Sequence, residues 1–192
     1  MAVVHFITHA EVEIDPAVPV PDWRLSPIGL RRATALTQRP WVRLVRSVFS
    51  SAERKAVEVA DLLGLELGII PVIRADLGEN DRSATGYLPR AEFEAVADEF
   101  FARPEHSVRG WERAVDAQRR IVVAVGEVLA MAPEGDVAVV AHGGVGALLL
   151  CHLLGLPISR EQDQPGQGGG NVFRFDTRSR RVIQGWRPIE DA

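Results

Sequence analysis

A chain of 192 residues, 46% hydrophobic and 25% charged, is the size of one ordinary domain and can bury a sizeable core. Its 22 basic and 26 acidic residues leave a formal net charge of -4, which offers no global attraction to nucleic acid or to an anionic membrane, so an anion must be held by a local pocket. Cys151 is the lone cysteine, which excludes an intrachain disulfide and a Cys-rich zinc cage and suits a reducing, cytoplasmic setting.

The chain opens on a β-branched and aromatic run, Val3 to Thr8, that delivers His9 to the carboxyl edge of a strand. In open α/β sheets that edge is where ligands collect. Residues 11–23 hold Pro16, Pro19 and Pro21 and read as a loop beside His9. Ser26 is the expected N-cap of a helix with Pro27 at its first position, running to about Gln38 before Pro40. A strand over 44–50 follows, then a helix over 52–63 capped by Ser51 and ended by Gly64, then a strand over 68–73. The polar loop 76–86 carries Glu79, Asp81 and Arg82 within reach of the same edge.

Residues 89–101 and 110–131 have helical spacing, and together they are expected to form one face of a sandwich. Strand 136–141 repeats the opening arrangement by delivering His142 to Gly143, Gly144 and a helix over 145–154. Residues 137–156 approach membrane-span length, but His142, Gly143, Gly144 and Gly146 interrupt them, so strand, turn and helix are expected instead of a membrane segment. Strands over 171–175 and 181–186 close the pattern, and the glycine-rich 164–170 is short enough to be a loop. One domain, 1–192, is expected.

Two strand-end histidines suggest one shared site. His5 shares a strand face with His9 by period two, but two histidines without a carboxylate cluster are poor metal ligands, so His5 is assigned to the core and no metal is expected. Other chemistries lack their residues. Six places after Cys151 stands Pro157 instead of the arginine of a cysteine phosphatase, no Gly-x-Ser-x-Gly turn exists, and no phosphate-binding Gly-x4-Gly-Lys-Ser/Thr loop is present.

Ile7-Thr8-His9-Ala10-Glu11, Trp23-Arg24-Leu25-Ser26-Pro27-Ile28-Gly29, Ser51-Ala52-Glu53-Arg54-Lys55-Ala56, Leu77-Gly78-Glu79 and Val140-Ala141-His142-Gly143-Gly144 resemble, in order, the histidine phosphatase superfamily, also called phosphoglycerate mutase-like. The resemblance implies a three-layer α/β/α sandwich with a mostly parallel central sheet. It implies that His9 is a nucleophile forming a phosphohistidine, that His142 contacts the phosphoryl group while protonated, and that Glu79 is the general acid, with Asp81 in reserve. Gly143 would let backbone approach the phosphate. Thr8 stands where the family motif has an arginine, and Lys55 where it has a second one; lysine keeps the charge but loses the bidentate fork. Arg82, ranked above Arg24, is the candidate cation to fill the gap at Thr8.

The activity implied is metal-independent and cofactor-free hydrolysis of a phosphomonoester, small molecule or phosphoprotein, weakened by Thr8. One missing charge-stabilising donor costs about 2.7 to 4 kcal/mol in the transition state, roughly 10² to 10³ in rate. Thr8 and Lys55 also fit an alternative, a non-catalytic protein that binds a phosphorylated ligand through the same pocket. A mutase is ranked lower, because the mutases of the family are longer.

Overall fold

Two parallel strands at the middle of the sheet, β1 (Val3–Thr8) and β4 (Asp136–Ala141), lie in a register that sets Thr8 opposite Ala141. The computed structural model describes residues 2–191. With β2 (Val45–Ser50), β3 (Val72–Ile73), β5 (Asn171–Asp176) and β6 (Val182–Pro188), they form one six-stranded sheet in the order β3-β2-β4-β1-β5-β6. The pairings among β3, β2, β4 and β1 are parallel, and those of β1 with β5 and β5 with β6 antiparallel, so the sheet is mostly parallel as the motifs imply.

Strand periodicity divides the core. Ile7 packs with Leu36, Val59 and Leu63 of α1 (Pro27–Thr37) and α2 (Arg54–Leu67) on one face. Phe6, its neighbour, packs with Ile121, Val125 and Leu149 of α4 (Ala114–Met131) and α5 (Gly143–Leu154) on the other, which completes the α/β/α sandwich. Helix α5 is apolar nearly all round because both its sides are covered. Val145 and Leu149 meet the sheet side, while Ala147 and Leu148 meet a third cluster built from Val96, Phe100 and Phe101 of α3 (Arg90–Ala102) with Val108, Trp111, Ala114 and Ala117.

That cluster contains no strand residue, which corrects the expectation that the segment 89–101 shares a sandwich face with α4. Helix α3 instead covers the outer side of α4 and α5. Smaller departures have local causes. Helix α2 runs past Gly64, where a Cβ would stand 2.5 Å from the Ile69 carbonyl oxygen, and stops at Gly68, whose φ of 67° is the left-handed cap. The N-cap of α2 is Glu53, two residues later than the expected Ser51. Helix α4 begins at Ala114 because Arg109 and Gly110 take φ of 51° and 83°, incompatible with a helix. Ser26 caps α1 as read, accepting the Gly29 N–H at 3.0 Å. Among the described residues no helix is long and apolar enough to cross a membrane.

Candidate active site

The register of three adjacent strands brings three polar residues to one point. The His9 N–H continues the ladder to the Ala141 carbonyl at 3.2 Å, and the Ser51 N–H reaches the Val140 carbonyl at 3.0 Å, so His142 emerges between them. The rings of His9 and His142 are 5.2 Å apart between centroids, inclined at 64°. His9 Nδ1 lies 2.8 Å from the Ala10 carbonyl oxygen. A carbonyl only accepts, so the proton sits on Nδ1 and Nε2 carries the free lone pair. Burial first, then the nearby His142 and Lys55, pushes the His9 imidazole from 6.5 down to about 3. It is therefore an unprotonated nitrogen base at neutral pH.

His142 is buried, with Nε2 2.7 Å from Ser51 Oγ and 3.3 Å from Glu53 Oε1. Burial pushes this imidazole down also, against the pull of Glu53 and Glu79. Glu53 is the hub behind it. Its Oε1 accepts the Glu79 N–H at 2.9 Å and its Oε2 accepts Lys55 Nζ, which also donates to the Val20 carbonyl at 2.8 Å. Burial alone would raise the Glu53 carboxyl, but His142 and Lys55 outweigh it and bring the carboxyl down to about 2. Sequence reasoning missed Glu53; its position two residues before Lys55, at the start of α2, is the signal that was available.

Glu79 closes the amino end of α5. Its carboxylate accepts the N–H groups of Gly144 at 3.0 Å and Val145 at 2.9 Å, which satisfies two of the donors left open at the helix start. Arg120 staples the loop beneath it by donating to the carbonyls of Asp76, Gly78 and Glu79. Asp81 is exposed and accepts the Ser83 N–H at 2.8 Å.

A cavity of about 510 Å³ opens onto this point, lined by His9, Glu79, Arg82, Gly143 and Gln164 among others. Its wall includes Phe93 and Trp111, over which the Arg82 guanidinium lies at 5.1 and 5.7 Å from the ring centroids. The structure thus gathers His9, Glu79, Gly143 and Arg82 on the cavity wall, with the buried His142 ring beside His9 but not lining the cavity itself. Thr8 and Lys55 do not line the cavity; both are buried behind its wall, Thr8 Oγ1 bonded to Gln164 Oε1 at 2.7 Å and Lys55 to Glu53. The loop 164–170, read only as a connection, forms part of the wall. Gly166, Gly168, Gly169 and Gly170 all take positive φ there, and the Gly170 N–H donates to the His9 carbonyl at 2.8 Å.

The sequence matches the family described as histidine phosphatase superfamily (branch 1) over residues 4–186. The chain belongs to that family. Solved structures with the same fold include a mycobacterial glucosyl-3-phosphoglycerate phosphatase, at 23% identity and a TM-score of 0.78 over 97% of this chain and 96% of that one. YhfR of Bacillus stearothermophilus is similar at 20% identity and a TM-score of 0.79, over 96% of this chain and 95% of its own. A phosphoserine phosphatase from Entamoeba histolytica, in complex with 3-phosphoglyceric acid, aligns at 16% identity with a TM-score of 0.71, over 96% and 95% of the two chains. No curated protein matches the sequence at a significant level.

Proposed function

We propose that the protein is a metal-independent phosphomonoester phosphatase that works through a phosphohistidine on His9. The observation that carries this reading is the His9 imidazole itself, with Nδ1 tied to the Ala10 carbonyl, Nε2 without a hydrogen-bond partner among the described residues, and the His142 ring 5.2 Å away. In the first step the Nε2 lone pair bonds to phosphorus while the bond to the ester oxygen breaks, and Glu79 in its acid form gives that oxygen a proton. In the second, Glu79 as carboxylate takes a proton from water, the water oxygen bonds to phosphorus, the P–N bond breaks, and inorganic phosphate leaves with His9 restored.

The phosphoryl oxygens are held by the Gly143 N–H, by His142 and by Arg82. The Gly143 N–H has no hydrogen-bond partner among the described residues, since Glu79 takes those of Gly144 and Val145. Lys55 acts at one remove, by neutralising Glu53. On this reading Thr8 replaces the motif arginine, and the small phosphorylated substrate sits in the cavity bounded by Phe93, Trp111 and the loop 164–170.

The test is turnover of p-nitrophenyl phosphate by the wild type and His9→Ala, with phosphohistidine detected by acid-labile ³²P labelling after rapid quenching. Turnover and labelling in the wild type, both abolished in His9→Ala, are expected. Saturable phosphate binding with no turnover would instead make the protein a phospho-ligand binder on the same fold.

A further inference from the structure

Gln164 is held more firmly than its place in a glycine-rich loop requires. Asn171 Nδ2 donates to the Pro165 carbonyl at 3.2 Å, and because a carbonyl only accepts, this fixes which end of the Asn171 amide is nitrogen. The same Nδ2 donates to Gln164 Oε1 at 3.0 Å, and Thr8 Oγ1 donates to that oxygen at 2.7 Å. Thr8 Oγ1 in turn accepts the Asn171 N–H at 2.9 Å. Both lone pairs of Gln164 Oε1 are thereby occupied, and the Nε2 end must point the other way.

It points at the start of α5. A Cβ built on Gly143 would stand 2.3 Å from Gln164 Nε2, so the glycine leaves room for this amide. Nε2 has no hydrogen-bond partner among the described residues, and Gln164 lines the cavity together with His9, Gly143 and Glu79. Two N–H bonds of one carboxamide therefore face the region where the Gly143 N–H is also open.

We infer that Gln164 is a phosphoryl-binding residue whose carboxamide donates to the phosphoryl oxygens, and that Thr8 and Asn171 are positioning residues that hold it there. The inference rests on the phosphatase reading above and assigns the grip on phosphate at the Thr8 side of the site. The Thr8 hydroxyl faces Gln164 instead of the cavity, so its contribution is the orientation of a second side chain that does reach it. A neutral amide supplies the directional bonds of an arginine without its charge, which makes a slower but still functional clamp.

Gln164→Glu separates the two ends of the side chain. It keeps an oxygen for Thr8 and Asn171 and replaces the donor nitrogen with an anionic oxygen facing the phosphate. Inorganic phosphate and orthovanadate binding are measured by calorimetry on the full chain, with p-nitrophenyl phosphate turnover and thermal unfolding alongside. The expected result is a near-native unfolding midpoint with phosphate and vanadate affinity lowered about ten- to hundred-fold and kcat/KM at least as much. Thr8→Val should lose affinity in the same direction, and Thr8→Ser, which keeps the hydroxyl, should restore it; loss of stability alone would not follow that pattern.

Affinity and kcat/KM within about two-fold of wild type in Gln164→Glu would overturn the inference. If that variant does not fold, Gln164→Ala is read in the same way. A wild type that hydrolyses phosphate esters through His9 while Gln164→Glu is unimpaired removes the Gln164 assignment alone. A wild type that binds phosphate without turnover removes the phosphatase reading and leaves Gln164 decided by affinity, and one that neither binds nor turns over removes both.

Discussion

His142 Nε2 faces Ser51 Oγ at 2.7 Å and Glu53 Oε1 at 3.3 Å, whereas His142 Nδ1 is buried with no protein partner among the described residues. With Nε2 committed to Glu53 and Ser51, Nδ1 gains a hydrogen to offer an anion only when the ring is an imidazolium. Burial pushes the imidazole below its usual 6.5, so at neutral pH the ring is unprotonated before ligand arrives. A phosphate dianion beside it reverses that balance.

Phosphate binding should therefore take up a proton. Calorimetry at about pH 8 in buffers of differing ionisation heat is expected to show uptake approaching one proton per phosphate bound, lost in His142→Gln and retained in Glu79→Gln. Binding without proton exchange in the wild type would show that His142 does not meet the phosphoryl group in its charged form.

Glu79 and Asp81 separate cleanly by position. Glu79 accepts from the backbone of α5 at the cavity floor, while the Asp81 carboxylate turns to Ser83 outside that cavity. Glu79→Gln should lower kcat for an alkyl phosphate by about 10² or more, and less for p-nitrophenyl phosphate, whose leaving oxygen needs little protonation. Asp81→Asn should leave both within about two-fold. Equal losses for both esters in Glu79→Gln would mean that this carboxylate does not protonate the leaving group.

Arg82 stacks on Phe93 and Trp111, and no carboxylate pairs with it among the described residues. A guanidinium held by aromatic faces stays available for a phosphoryl or carboxylate oxygen. Arg82→Ala should raise KM for p-nitrophenyl phosphate or lower kcat by about ten-fold or more, and Arg82→Lys should recover only part, since lysine loses the planar stacking. Full activity in Arg82→Ala would return Arg82 to an ordinary surface role.

The sequence displayed the elements that local pattern controls. β1 and β4 were legible because apolar β-branched runs end in histidine, and α1 because Ser26 and Pro27 mark its start. The direction in which the side chains of the motif point was not legible. Thr8 meets Gln164 across 156 positions of chain, and Lys55 is turned from the cavity by Glu53 and the Val20 carbonyl, neither of which any periodicity encodes. The position of helix α3 is not legible for a related reason: its apolar spacing shows that a face is buried, and the apolar outer side of α5 decides against what.

Lys55 and Glu53 form a buried pair, with side chains 3% and 14% exposed. Removing one partner strands the other charge, which typically costs about 3–5 kcal/mol. Lys55→Met and Glu53→Gln should each lower unfolding stability by an amount of that order in urea titrations. The double variant Lys55→Met/Glu53→Gln should lose less than the sum, because no uncompensated charge is left. Strict additivity would show that the two groups stabilise the fold independently.

Far from the cavity, His5 is stacked on Trp41 at 4.1 Å, receives the Arg174 Nε–H on Nδ1 at 3.1 Å, and lies 3.1 Å from Asp136 through Nε2. These bonds suit one neutral tautomer, Nε2–H toward Asp136. Burial, partly offset by Asp136, brings its pKa from 6.5 to about 4. The unfolded chain thus binds a proton that the folded chain refuses, so the stability contribution is full above about 6.5 and drains away as pH falls toward 4. Between about pH 7.5 and pH 5 this one group should cost about 2 kcal/mol of unfolding free energy. Urea titrations of the wild type and His5→Phe across that range measure it: the variant is less stable at neutral pH, because Asp136 and Arg174 lose their shared partner, and its acid slope is shallower by about that amount. The Glu53 contribution, with its carboxyl lowered from 4.5 to about 2, runs out in a separate and more acid window that it shares with other lowered carboxyls such as Asp76 and Glu190, so a wild-type slope confined below 4.5 would assign the acid sensitivity to carboxylates and not to His5.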